Sequence, residues 1–155
     1  MIEDIKDKIK NSKYKVIAFD LDGTLYSSTA GIERQIVPAI HKVTKSRFNL
    51  SSEDARNLLS KYNDQYGYFV NGFEKHHNVS AKDFINEVYM NIDRSSVLAY
   101  DGLKESISLL SSFTEKLVVF TNCAQIHAKA ILHIIGVYEL FVVVIGIEDL
   151  DFFIK

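Results

Sequence analysis

The chain has 155 residues, 47% of them hydrophobic and 25% charged, with a single proline, which suits one ordered globular domain with room for a small insertion and excludes a disordered or linker-rich protein. Its 18 basic and 20 acidic residues leave a net charge of -2 and are spread along the chain, so no nucleic-acid partner is expected. No stretch nears the roughly 18 apolar residues of a membrane span, and Cys123 is the only cysteine, so neither a membrane protein nor a disulfide-bonded or cysteine-zinc one is expected.

In chain order, MIEDIKDKIKNSKYK sets Ile2, Ile5 and Ile9 among alternating charges, the pattern of a short amphipathic helix without the apolar core of a secretory signal. The expected location is cytoplasmic. Residues Val16 to Phe19 then form a continuous apolar run that ends on Asp20 and Asp22. Ile32, Ile36, Ile40 and Val43 keep helical spacing over residues 30 to 46, with Pro38 as a kink or break. Ser51 with Asp54 and Ser80 with Asp83 are capping-box signatures. Ala55, Leu58, Leu59 and Tyr62 line one helix face after the first of these, and Phe84, Val88 and Ile92 one after the second. His76 and His77 read as solvated residues of this helical stretch.

Leu103, Ile107 and Leu110 mark a further amphipathic helix. Apolar runs at Leu117 to Phe120 and Leu140 to Ile145 read as strands, with AQIHAKAILHIIG as the helix between them and Gly136 as its stop. Strand, helix, strand, helix, strand predicts an α/β fold: a Rossmann-like parallel sheet of about three core strands, each buried on both faces. A helical cap of residues 27 to 96 is inserted after the first strand. The core is therefore expected from residues 1 to 26 and 97 to 155.

Asp20 and Asp22 follow the first strand, at the edge where open α/β sheets bind ligands. Residues two apart in an extended segment point the same way, so the two carboxylates repel unless a cation or hydrogen bonds compensate them. Mg²⁺ is the expected compensator, since it takes oxygen ligands and keeps waters and substrate phosphates as the rest. A plain polar turn would also place Asp-Gly after a strand. Against that, D-x-D-G-T arises by chance in about 1 in 500 chains of this length at ordinary residue frequencies.

DLDGTLY resembles the first motif of the haloacid dehalogenase superfamily of phosphohydrolases. The resemblance implies that Asp20 is the nucleophile that forms an aspartyl-phosphate. Asp22 would be general acid and then base, and both are assigned to the Mg²⁺ site. VVFTNC is similar to the second motif, in which Thr121 and the N–H of Asn122 bind phosphoryl oxygens. Lys155 falls on the third, where a lysine neutralises phosphate and nucleophile.

Within the superfamily, LDGTLY, YGYFVNGF, FTNC, the His127-Ala128 pair and LFVVVIGIEDLDFFIK most resemble the pyrimidine 5′-nucleotidase-like group. Tyr68, Phe69, Ala124 and Ala130 depart from its pattern and put the substrate in question. Cys123 reads as an apolar filler rather than a reactive thiol. His127 reads either as a hydrogen-bond donor near the phosphate or as helix packing.

By the same resemblance, a fourth, acidic motif that completes the Mg²⁺ site has no place after the third strand, so the chain is expected to be truncated. The expected function is hydrolysis of small phosphomonoesters, with nucleoside 5′-monophosphates as the finer expectation and low activity in this chain. A catalytically dead fragment, or a phosphate-binding or interaction protein that retains the fold, stays open beside it. The expected partner is a small phosphorylated metabolite. The unprotected edge of the first strand predicts self-association, or pairing with a complementing C-terminal segment.

Overall fold

A computed structural model describes residues 15–150. The predicted N-terminal helix and Lys155 lie outside the described residues. Strand β1 (Val16–Phe19) leads through a single 3₁₀ turn (Ser28–Ala30) into four helices: α1 (Glu33–Phe48), α2 (Ser52–Tyr66), α3 (Phe69–His77) and α4 (Ala81–Met90). Helix α5 (Leu103–Ser111), strand β2 (Lys116–Phe120), helix α6 (Gln125–Ile134) and strand β3 (Val143–Ile145) follow, and a 3₁₀ turn spans Ile147–Leu150. The strands form one parallel sheet in the order β1-β2-β3, with Ala18 beside Val118 and Val118 beside Val143. This is the α/β architecture that the alternation of apolar runs predicts. Among the described residues, no helix is long and apolar enough to cross a membrane.

The third strand is shorter than expected, because Tyr138–Leu140 closes as a 3₁₀ turn and pairing begins only at Val143. A larger difference concerns the sheet faces. Leu117, Val119 and Val144 are 0 to 4% exposed, but on the opposite face Val16, Phe120 and Val143 are 44 to 48% exposed. Among the described residues, the sheet is thus well buried on one face rather than two. Topology supplies the reason: right-handed crossovers that step in one direction, from β1 to β2 to β3, deliver both connections to the same side.

Helices α1 to α4 pack into a layer with an aromatic interior. Phe73 and Phe84 are fully buried 4.9 Å apart, and Tyr62, Phe69 and Phe48 pack around Phe73. Gly72 makes the approach of α2 and α3 possible, since a Cβ there would meet Tyr62 Cγ at 2.3 Å. Both serines cap their helices as expected: the Ser51 and Ser80 hydroxyls accept from the N–H groups of Asp54 at 3.1 Å and Asp83 at 3.2 Å, the forward half of the capping box. Pro38 does not break α1, which runs unbroken through it with the ring on the exposed side. His76 and His77 are not merely solvated, for their Nε2 atoms bond the hydroxyls of Tyr66 and Tyr62. An antiparallel bridge between Tyr26 and Ala99 closes the stem of this layer.

Candidate active site

Three loops meet at the C-terminal ends of the parallel strands: Asp20 to Thr24 after β1, Thr121 to Ala124 after β2, and Gly146 to Ile147 after β3. The first is a tight turn in which the N–H groups of Thr24 and Leu25 donate to Leu21 O at 3.2 and 3.0 Å. Gly23 takes a φ of +75°, the left-handed region where a side chain is strained. Leu21 is fully buried and anchors the turn. Asp20, directly after the strand, is exposed, and the Thr24 hydroxyl donates to its Oδ2 at 3.3 Å.

Asp22 sits in a different environment. Its carboxyl is half-buried, Tyr26 donates a short hydrogen bond to Oδ1, and Thr121 Oγ1 lies 3.5 Å from Oδ2. Burial pushes its pKa above the usual carboxylate value, opposed by the Tyr26 hydroxyl and assisted by the neighbouring Asp20 charge. The two acids therefore differ in kind: one is open to solvent, the other half-buried with its proton affinity raised. Tyr26, itself pushed up by burial and then by Asp22, stays a donor. The helical turn that bonds Leu25 to Leu21 also brings residues 22 and 26 together, so an i, i+4 reading of D-x-x-x-Y was the available signal for this pair.

Thr121 is buried at the end of β2, and its N–H donates to Ile145 O at 3.0 Å. Its hydroxyl accepts from Cys123 N–H at 3.2 Å and lies near both Asp22 and Cys123 Sγ, so one proton serves either neighbour at a time. Asn122 is exposed at the mouth of the loop. The structure thus brings Asp20, Asp22, Thr121 and Asn122 to one edge. Cys123 is buried, and burial followed by the Asp22 charge raises its pKa well above a free thiol, which fits the filler role.

The loop after β3 braces this edge. Glu148 accepts from Gln125 N–H at the start of α6 through both oxygens, at 2.9 and 3.0 Å. Asp149 accepts from Gly146 N–H at 2.9 Å, and Ile147 N–H donates to Cys123 O at 3.1 Å. Gly146 has to be glycine, since a Cβ would meet Gln125 N at 2.7 Å. Both acids of this segment are spent on backbone N–H groups.

Asp20 offers Mg²⁺ a hard, exposed carboxylate oxygen, the donor type that this ion takes. Among the described residues, however, Asp20 belongs to no cluster of three or more His, Cys, Asp or Glu side chains. The cluster that does form joins Asp22, Cys123 and His127, with one ligand atom from each within 4.8 Å of the others. It suits a cation poorly, because the Arg94 guanidinium donates into His127 Nδ1 at 3.1 Å and brings a positive charge. His127 is fully buried, and burial, then that charge, holds its pKa down to about 3. Arg94 lies 33 residues away in sequence, and no local pattern could have paired it with His127.

Residues 14–154 match the family model of haloacid dehalogenase-like hydrolases. A curated relative, "Phosphate metabolism protein 8" of Saccharomyces cerevisiae, is 28% identical over 138 residues, covering 82% of this chain and 41% of its own length. The chain thus spans about two fifths of that relative. Among solved structures, a HAD phosphatase from Thermococcus onnurineus is similar at 19% identity and a TM-score of 0.47, over 89% of this chain and 64% of its own. "A predicted phosphatase from Clostridium acetobutylicum" is similar at 24% identity and a TM-score of 0.47, over 87% and 62%. The match to the family model runs through all three loops of the site, and the chain belongs to the haloacid dehalogenase-like hydrolases.

Proposed function

We propose that the chain hydrolyses small phosphomonoesters through a phosphoaspartyl intermediate on Asp20. The observation that carries this reading is the contrast between the two aspartates: Asp20 is exposed directly after the strand, whereas Asp22 is half-buried against Tyr26 and its pKa is raised by burial. Such a pair divides nucleophile from general acid, as the chemistry requires. An oxygen of Asp20 attacks phosphorus while the ester P–O bond breaks, and the Asp22 proton goes to the departing oxygen. Asp22, now a carboxylate held by Tyr26, accepts a proton from the water that attacks phosphorus, and the Asp20 O–P bond breaks to release phosphate and restore the Asp20 carboxylate. Thr121 and the Asn122 N–H, at the mouth of the β2 loop, would hold phosphoryl oxygens. Mg²⁺ would be held by the Asp20 carboxylate and the main-chain carbonyl of Asp22, and would supply positive charge against the phosphoryl oxygens.

The finer assignment, nucleoside 5′-monophosphates as substrates, rests on the resemblance of LDGTLY, FTNC and the His127-Ala128 pair to the pyrimidine 5′-nucleotidase-like group. A second reading is favoured by the sparse acidic set around Asp20: a phosphate-binding protein with little turnover. Phosphate release from p-nitrophenyl phosphate and from nucleoside 5′-monophosphates, with and without Mg²⁺, separates the two. Mg²⁺-dependent release that Asp20→Asn abolishes supports the hydrolase. Phosphate binding without release supports the second reading.

A further inference from the structure

A cavity that shares no residue with the candidate active site opens where α1 meets the end of α4. Its volume is about 270 Å³, just below the roughly 300 to 1,000 Å³ of pockets for drug-sized ligands, so it suits a small one. Arg34, Gln35, Pro38, Ala39 and Lys42 of α1 line it, with Asn91 at the C-cap of α4. The chain carries a net charge of -2, yet this lining holds two cations and no acid.

Arg34, Pro38 and Lys42 recur at four-residue steps, which keeps both cations along one side of α1. Among the described residues, the Arg34 side chain has no hydrogen-bond or ion-pair partner. Lys42 Nζ donates to Asn91 Oδ1 at 2.7 Å, and Asn91 Nδ2 donates to Glu87 O at 2.9 Å. One ammonium proton is thus used and two are left. Gln35 braces the wall: its Nε2 donates to Asp93 O at 3.0 Å, and its Oε1 accepts from Asp93 N–H at 2.8 Å. The acids of the adjoining segments are engaged elsewhere, Glu87 with Arg47 at 2.7 Å and Asp93 with the Ser95 N–H and hydroxyl at 2.9 and 3.0 Å. Glu33, beside Arg34 in sequence, does not line the cavity. The positive charge collected here has no carboxylate to compensate it, and a bound anion would do so.

We propose that this cavity is an anion site for a phosphate dianion, free or as the end of a small phosphomonoester, held by Arg34 and Lys42. A dianion matches the two positive charges. The planar fork of Arg34 suits two phosphate oxygens at once, and the remaining protons of Lys42 supply a point charge beside it. Because Asp20, Asp22, Thr121 and Asn122 take no part in the lining, the ligand would be an effector rather than a substrate, and the assignment does not depend on the hydrolase reading.

Backbone ¹H–¹⁵N spectra of the full chain, titrated with inorganic phosphate at constant ionic strength, test this residue by residue. Signals from Arg34 to Lys42 and the side-chain amide of Asn91 should shift and saturate with a Kd of about 1 to 10 mM, the affinity that two charge-assisted contacts supply. Arg34→Gln and Lys42→Gln, both at exposed positions, should each weaken this response about tenfold and leave the signals of Thr121 and Asn122 as they are in the wild type. Acetate, with one charge, should bind more weakly than phosphate. Methylphosphonate stands in for a monoester that cannot be hydrolysed: an equal response means that the phosphoryl group alone is recognised, and a response to only one of the two identifies the free ion or the ester as the ligand. The proposal is overturned by shifts confined to Thr121 and Asn122, by no saturable shift around the cavity, by acetate binding as well as phosphate, or by an affinity unchanged in the double variant.

Discussion

The helical layer and the sheet use their large apolar residues in opposite ways. In the layer, Phe69, Phe73, Phe84 and Tyr62 interlock until nothing of Phe73 or Phe84 reaches solvent. In the sheet, Phe120 sits on a face where it is 46% exposed, between strands whose other face is sealed. Burial, not residue type, decides what an aromatic side chain contributes. The comparison predicts a gradient of mutational effects that runs from the layer to the open face.

At the top of that gradient, Phe73→Ala should destabilise by about 3–5 kcal/mol, the usual effect of a cavity at a fully buried aromatic. Chemical denaturation would measure it, and a loss below about 1 kcal/mol would mean that the interlocked cluster is loose. Gly72→Ala should cost about 1–3 kcal/mol, because the added methyl overlaps the Tyr62 ring and forces α2 and α3 apart. The same assay reads it.

Asp22 supplies a pH-dependent test at the junction of the two regions. Burial raises its folded-state pKa, so the folded chain binds the proton more tightly than the unfolded one. Its contribution is best while it is protonated and declines as pH rises through the ordinary value of 3.8 toward the raised one. Asp22→Asn should therefore melt higher than the wild type at neutral pH, with the gain vanishing in acid. His127 acts in the opposite sense, since its folded-state pKa is lowered and stability declines as pH falls from 6.5 toward about 3. Smallest of all, Phe120→Ser should change stability by less than about 0.5 kcal/mol, as exposed sites do. It should instead reduce association at high protein concentration, read by sedimentation, because the apolar face loses its largest side chain. A large loss of stability there would show that the face is covered.

Much of this was legible in the sequence. VIAF followed by DLDGT placed β1 and the site at its end, and the Ser51 and Ser80 boxes placed two helix starts. Continuous apolar runs, however, suggested strands covered twice, because a run of Val and Ile records hydrophobicity and not which side receives the crossover helices. Pro38 suggested a break, but in this helix its ring faces solvent and the turns around it persist. Two motif resemblances singled out Asp20, Asp22, Thr121 and Asn122, and the structure brings these four to one sheet edge. The hydrogen bond from Arg94 to His127 joins elements 33 positions apart, and contacts of that range are made by packing rather than by any local pattern.

The central claim, that Asp20 is the nucleophile, is tested most directly by trapping its adduct. The protein would be mixed with p-nitrophenyl phosphate and Mg²⁺, quenched in acid within a turnover, and digested for mass spectrometry. The account predicts a phosphoryl group on the peptide that carries Asp20, and none in Asp20→Asn. Phosphate release that proceeds with no adduct at Asp20, or that survives in Asp20→Asn, would contradict it.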